Sequence, residues 1–495
     1  MKKILICLIA VLSLSLNSCK DYLTIVPSDA IFLEDVQALK QTLGTWLFTY
    51  SANYKNTAVG SAFPWSTDLF GDRFTAYSDV WDFNKWSGKE TAKWTETEKR
   101  YLKRAVVANS EWSNLYEIIG LMNLVLNEID TAKGDDDMRN YVKGEALMHR
   151  AFCFFKLLQY YAPMDDASLG IPVYLDTYGG FDKANLSRMN HKGVFERILA
   201  DLGEAERLLG ITEPRTTYNI MYNYDHVYRI RSYVYLWKAC GPVAEDSDWE
   251  NAASEAKKAI AAAGNVLPMN ISELATDKFF GVGSGTCPTS AYPEALYFIP
   301  QSGWRFLPNY GYNLEIWKTL YDKNDERKYK WFGIADGRDP ELVLESDLLP
   351  TRKRPGFSGF AQPGIYFRLS EQYLILIEAY AHTNFEEAKK VLRQWQSVRY
   401  KDETEGKWFV PANAEALLEE VYRERKREFL YEADLDWMDM KRLGATDGER
   451  NVGGQTGAAL TSGDIRYDFM IPESETKTNT KIIQNPGWDE YITLK

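Results

Sequence analysis

The sequence predicts a mainly α protein, with tetratricopeptide-like helix pairs as its scaffold, long loop-rich insertions and short strands. Three observations predict it. Amphipathic segments recur in neighbouring pairs along the chain. Long stretches rich in Gly, Ser, Asn and Pro separate those pairs. The same stretches are dense in tryptophan and tyrosine, which a disordered segment does not accumulate. The chain has 495 residues, with 45% hydrophobic and 26% charged, an ordinary globular balance.

The N-terminus comes first. Lys2 and Lys3 precede an apolar run from Ile4 to Leu16. A charged head before a short apolar run marks a secretory leader, and the run falls short of the roughly 20 residues a spanning helix needs. It ends in Leu16-Asn17-Ser18-Cys19, which resembles a bacterial lipobox. Residues 1–18 are therefore expected to be removed, leaving Cys19 as an acylated first residue. An ordinary signal peptide with a coincidental cysteine is the alternative. Loss of the two leader lysines takes the formal charge from −12 to −14. Lys20 and Asp21 resemble the short charged signal that directs Bacteroidetes lipoproteins to the outer face.

The helices follow. In the run from Trp112 to Ile129, residues Leu115, Ile118, Ile119, Met122, Val125, Leu126 and Ile129 recur at intervals of three and four, which is one helical face. After the break KGDDD, a second helix is expected from about Arg139 to Tyr161, with Ala146, Leu147, Ala151, Phe154, Phe155 and Leu158 inward; Ala162-Pro163 stops it. Val194 to Leu209 is amphipathic. Val227 to Ala239 pairs with Trp249 to Ala262, and Leu369 to Ala381 with Phe385 to Val398. In the last pair Tyr373, Leu376, Ala379 and Tyr380 face Ala388 and Leu392, as in a tetratricopeptide unit.

Composition excludes several functions. The acidic chain has no long Lys/Arg run, so nucleic acid is not an expected partner; the stretch Arg423 to Arg427 also holds Glu424 and reads as a mixed helix face. Five cysteines match no zinc or redox spacing, and Cys153, Cys240 and Cys287 read as buried thiols. His149, His191, His226 and His382 form no metal motif. The loop Gly281 to Gly285 fits neither a dinucleotide fingerprint nor a nucleophile elbow. Paired carboxylates for glycoside hydrolysis are available among 70 acidic residues, Asp434, Asp436 and Asp439 being the densest set. No catalytic residue, metal or cofactor is assigned.

Four stretches together resemble the SusD/RagB family, whose members are surface lipoproteins that partner TonB-dependent transporters. The first is DYLTIVPSD after Cys19. The second is Trp112, Tyr116, Ile119 and Asn123, followed by Gly144-Glu145-Ala146 and Arg150-Ala151. The third is Glu424 to Gly444, read as one late helix bearing Glu428, Glu432 and Asp439 to Arg442; it departs from the family pattern at Asp436, where an arginine is usual. The fourth is the closing run with Ile471, Pro472, Glu475, Asn479 and Gln484-Asn485-Pro486-Gly487. These motif residues read as structural. Buried charges must be paired, and Arg425, Arg427 and Arg442 are at hand as partners. The resemblance implies one SusD-like domain over 19–495, with parts at about 22–210 and 290–495 packed together.

A binding role needs less machinery than catalysis. Sugar rings present C–H faces that stack on flat aromatic rings, while amides, carboxylates and guanidinium groups meet their hydroxyls. The segment VWDFNKWSG supplies Trp81, Asn84 and Trp86, and GWRFLPNYGYN supplies Trp304, Arg305 and Tyr310. These six are the expected ligand residues, on a face built by loops and short strands; core packing is the alternative for each aromatic. The resemblance then implies a nutrient-binding, cell-surface protein. Acylated Cys19 anchors it in outer-membrane lipid, and it delivers an oligosaccharide to a SusC-like TonB-dependent transporter. The alternatives are a peptide-binding member of that family, a surface glycoside hydrolase and an adhesive protein without a small ligand.

Overall fold

The computed structural model describes residues 33–43, 74–76, 110–176, 186–212, 224–273, 297–300, 310–312, 314–332, 334–335, 338–344, 348, 363–404, 408–429, 434–444, 450–452, 455–457 and 463–488. Helices dominate. The N-terminal set is α1 Ser110–Glu128, α2 Asp136–Tyr161, α3 His191–Leu209, α4 Tyr224–Ala239 and α5 Asp248–Ala262. The C-terminal set is α6 Leu314–Leu320, α7 Arg327–Lys330, α8 Leu369–Thr383, α9 Phe385–Gln396, α10 Ala414–Glu428, α11 Leu435–Leu443 and α12 Glu473–Thr478. Successive helices pack against one another: α1 on α2, α2 on α3, α4 on α5, α5 on α8, and α8 on both α9 and α10. The two sets share one hydrophobic core, which runs from Val36 to Trp488.

Local chemistry accounts for the helix boundaries. The Asp135 carboxylate accepts from Met138 N at 2.8 Å, capping α2. Asn190, Asn384 and Asn413 cap α3, α9 and α10 in the same way, satisfying donors that a helix start leaves open. Pro163 follows Ala162, the C-cap of α2, and Gly444 ends α11 in the left-handed conformation, with φ 60°.

The expected stripe of α1 is buried as read, except that Leu126 is only partly covered. Helix α2 differs from expectation. The spacing predicts a single apolar stripe, yet every residue from Gly144 to Tyr161 is buried, including His149, Arg150, Lys156 and Gln159. It lies between neighbours on several sides, so its polar residues need internal partners. Arg150 donates to both oxygens of Asp201 on α3 at 2.7 Å and to Asn123 Oδ1 on α1 at 2.9 Å. Asn123 in turn donates to Tyr174 O at 2.9 Å. Gly144 lets α3 approach: a Cβ there would stand 2.7 Å from Leu209 Cγ.

The late helix is also corrected. The sequence predicts one helix from Glu424 to Gly444, but α10 ends at Glu428 and α11 starts at Leu435. The break lets the two helices present their charges to different partners. Glu428 accepts from Arg368, Arg399 and Arg327 at 2.8–3.1 Å. Glu424 accepts from Arg327, Arg427 and Trp395 at 2.7–2.8 Å and from the Tyr400 hydroxyl. Asp439 on α11 takes Arg425 and Arg442, as expected. Burial alone would raise the carboxyl pKa values of Glu424 and Glu428. The surrounding guanidinium groups outweigh it, holding Glu424 at about 2 and Glu428 well below its usual range.

The strands are short: β1 Phe74–Ala76, β2 Tyr297–Pro300, β3 Tyr310–Tyr312, β4 Pro363–Tyr366, β5 Arg450–Val452 and β6 Gln455–Gly457. They form one sheet of order β3-β1-β5-β6 and a β2-β4 pair.

Candidate functional site

Two places among the described residues bear on a candidate site. The first is the β1–β3 ladder. Its antiparallel register sets Phe74 opposite Tyr312, Thr75 opposite Gly311 and Ala76 opposite Tyr310, and β5 joins parallel with Val452 opposite Ala76. Chain direction then matters. The segment leading on to Trp81 leaves from Ala76, and the segment that carries Trp304 and Arg305 arrives at Tyr310. Both are tethered to the same end of one ladder. Of the expected ligand residues, Tyr310 stands in β3. Trp81, Asn84, Trp86, Trp304 and Arg305 lie outside the described residues, as does Cys19.

The second place is a cleft of about 370 Å³ between the exit of α2, at Pro163–Asp166, Lys441 on α11, the turn Gly463–Asp468, and Asn485-Pro486. No sequence signal joined these four segments: Pro163 read as a helix stop and Pro486-Gly487 as a turn. A buried ion pair lies against it. Lys441 Nζ donates to Gln159 O at 2.6 Å and Ala162 O at 2.9 Å, and meets Asp468 Oδ1 at 2.7 Å. Burial lowers the Lys441 pKa and raises that of Asp468, each partner opposing the other's shift.

The closing signature forms the wall. Asn485 Nδ2 donates to Tyr161 O at 2.9 Å, and its Oδ1 accepts from Arg188 at 2.8 Å. Arg188 also donates to Gly170 O, Leu169 O and Ile483 O at 2.7–3.0 Å; burial lowers its pKa to about 10. Gln484 bonds both backbone groups of Ile471, at 2.8 and 3.1 Å, and Asn479 donates to Leu186 O at 2.7 Å. Gln484 and Asn479 bond backbone groups, and Asn485 joins the Tyr161 carbonyl to the Arg188 guanidinium, which is the structural role the sequence suggested.

Other expectations can be placed. Cys153 is buried and Cys240 half-buried, both as free thiols; Cys287 lies outside the described residues. His149 is packed inside, 3.6 Å from Glu145. Among the described residues, no cluster of three or more His, Cys, Asp or Glu side chains is placed to hold a metal ion, and no helix is long and apolar enough to cross a membrane.

The comparisons with known proteins agree with this architecture. The chain belongs to the SusD family: the SusD family model matches residues 209–488. A second family model, described as starch-binding and associating with the outer membrane, matches residues 51–236. Solved structures share the fold at low identity. A SusD-like carbohydrate-binding protein from Bacteroides vulgatus is 20% identical with a TM-score of 0.68, over 91% of this chain and 98% of that one. A SusD superfamily protein from Bacteroides thetaiotaomicron is 19% identical with a TM-score of 0.65, over 91% and 100%. One from Parabacteroides distasonis is 16% identical with a TM-score of 0.64, over 91% and 98%. No curated protein matches the sequence.

Proposed function

We propose that this SusD-family chain captures an extracellular nutrient, a glycan before a peptide, on an aromatic face at the end of the β1–β3 ladder, without altering it covalently. The observation that carries this is the register Ala76 opposite Tyr310. Paired strands stand about 4.7–4.9 Å apart. Trp81 is five positions beyond Ala76 and Arg305 five before Tyr310. At about 3.3–3.6 Å per extended residue, both segments have the reach to meet one ligand. Trp81, Asn84 and Trp86 on one side, and Trp304, Arg305 and Tyr310 on the other, then supply stacking faces and hydroxyl partners.

In this reading, acylated Cys19 holds the chain to the outer membrane and residues 19–495 act as one unit. Ligand passes to a SusC-like TonB-dependent transporter. The continuous core from Val36 to Trp488 supports the single unit.

A glycan array followed by titration calorimetry on the purified chain tests the site. Trp81→Ala and Trp86→Ala are each expected to weaken a glycan hit at least about tenfold, the loss of ~1.4 kcal/mol of stacking. Affinity unchanged in both variants would remove the ladder face from consideration. A peptide hit with the same sensitivity would change the ligand class and keep the face. New reducing ends after incubation with the bound glycan would overturn the non-catalytic reading in favour of a glycoside hydrolase.

A further inference from the structure

We infer that the cleft between α2, α11 and the closing signature is a second binding site, which takes a small ligand carrying a protonated amine. The inference stands apart from the ladder face and does not depend on it.

The argument is an inventory of hydrogen-bonding capacity around the cavity. Lys441 is the cationic side chain in its lining. An ammonium has three donors. Those of Lys441 meet Gln159 O, Ala162 O and Asp468 Oδ1, so none remains for a guest. Asn485 commits one amide N–H to Tyr161 O and its oxygen to Arg188. Arg188, just behind, spends its guanidinium on the carbonyls of Gly170, Leu169, Tyr161 and Ile483 and on that Asn485 oxygen.

What is left is chiefly acceptors. A carboxylate has about four lone-pair positions, and Lys441 takes one on Asp468. Asp468 is partly exposed at 14% of its side chain. Asp165, also in the lining, is exposed, and Asp166 shares one oxygen with Ser168 N and Oγ. Pro163, Met164, Ile465 and Pro486 form apolar walls between them. A cavity whose lining ammonium is spent, with spare carboxylate oxygens and hydrocarbon sides, is complementary to a guest that brings donors and positive charge on a small carbon frame. An ammonium meets that requirement through charge-assisted hydrogen bonds. A carboxylate or phosphate guest would face these carboxylates while the lining ammonium of Lys441 is already occupied. The volume of about 370 Å³ falls at the lower end of small-molecule sites, the size of a monosaccharide or an amino-acid derivative.

The rigid surroundings suit the role. The Asp468 carboxylate is fixed by Lys441, and Asn485 and Arg188 tie the lip segments 161–170 and 483–485 together, so the guest does not have to order the cavity.

Titration of the purified full chain with glucosamine, N-acetylglucosamine and alaninamide tests this. The neutral N-acetylglucosamine keeps the ring and removes the charge; alaninamide keeps the charge and removes the ring. Glucosamine is expected to bind, and N-acetylglucosamine to bind at least about tenfold more weakly, since hydrogen bonds to charged groups are the stronger class. Asp165→Asn, at an exposed position whose charge also acts on Lys441 and Asp468, is expected to weaken glucosamine at least about fivefold while shifting the melting temperature little. Binding of alaninamide as well widens the site to amines in general; its failure confines it to amino sugars. Equal affinity for the acetylated sugar, no binding of either amine, or insensitivity to Asp165→Asn each overturns the proposal. Trp81→Ala leaves glucosamine affinity unchanged if the two sites are separate. A matching loss there would return the amine to the ladder face.

Discussion

The N-terminal and C-terminal helix sets reach the same architecture by opposite chemistry. Helices α1 to α3 are held chiefly by apolar side chains, with Arg150, Asp201 and Asn123 as the polar lock that joins all three. Helices α8 to α11 pack around carboxylates and guanidinium groups that are almost fully buried: Glu378, Glu424, Glu428 and Asp439 against Arg327, Arg368, Arg399, Arg425 and Arg442. The apolar set gains free energy from burial itself. The charged set gains little net from its ion pairs, because desolvation offsets attraction. Breaking one member, however, strands the others. The C-terminal set should therefore be less forgiving of a small chemical change than the N-terminal set.

The largest expected effect tests that contrast. Glu428→Ala leaves the guanidinium groups of Arg368, Arg399 and Arg327 without their shared anion, an expected cost of about 3–5 kcal/mol by denaturant unfolding. Phe155→Ala, buried to 0% exposure on α2, is expected to cost a similar 3–5 kcal/mol for a different reason, the cavity it opens. The conservative partners separate the two cases. Glu428→Gln keeps the shape and remains expensive, whereas Phe155→Leu falls to about 1.5 kcal/mol or less. A Glu428→Gln cost as small as that of Phe155→Leu would erase the distinction.

The same contrast explains what could be read from the amino-acid order. Helix period exposed α1, α2, α3, α4, α5, α8 and α9 to within a few residues, because apolar residues recur in them at intervals of three and four. Gly144, Arg150 and Asn123 were visible as a pattern, but not as the point where α1, α2 and α3 interlock. The role of Asp439 with Arg425 and Arg442 was legible from proximity on the chain. The partners of Glu428 were not: Arg327, Arg368 and Arg399 lie 101, 60 and 29 residues away. Periodicity carries no information about such pairs. The amine cleft was invisible for the same reason, since Asp165, Lys441, Asp468 and Asn485 meet only after folding. The ladder was half legible: two aromatic segments stood out, and the strand register that tethers them to one end did not.

A smaller effect sharpens the apolar side. At Gly144 an added methyl would stand 2.7 and 2.9 Å from Leu209 Cγ and Cδ2, closer than carbon atoms tolerate. Gly144→Ala is expected to lose about 1–3 kcal/mol through overpacking. Leu209→Ala opens the space that the new methyl occupies. The double variant should thus be more stable than the sum of the single losses, measured as a thermodynamic cycle. Strict additivity would mean that α2 and α3 do not meet at this point, and that the glycine serves something other than close approach.

A last contrast distinguishes the two sets by pH. His191, the first residue of α3, is 1% exposed. Burial pushes its pKa down to about 4, with Lys441 and Arg188 adding to the shift and the Leu169 backbone and Asp166 opposing it. An unfolded histidine titrates near about 6.5. Between those values the unfolded chain holds a proton that the folded chain refuses, so stability falls as pH drops through this window. Glu424, held at about 2 against about 4.3 when unfolded, contributes stability that is present above the unfolded value and disappears as pH falls towards 2. Melting temperature should consequently decline in two stages, first through His191 and then through the buried carboxylates. His191→Gln, which cannot titrate, should flatten the first stage and leave the second. A variant that still loses the same stability between pH 6.5 and 4.5 would assign the first stage to some other group, and the separation of the two helix sets by pH would go with it.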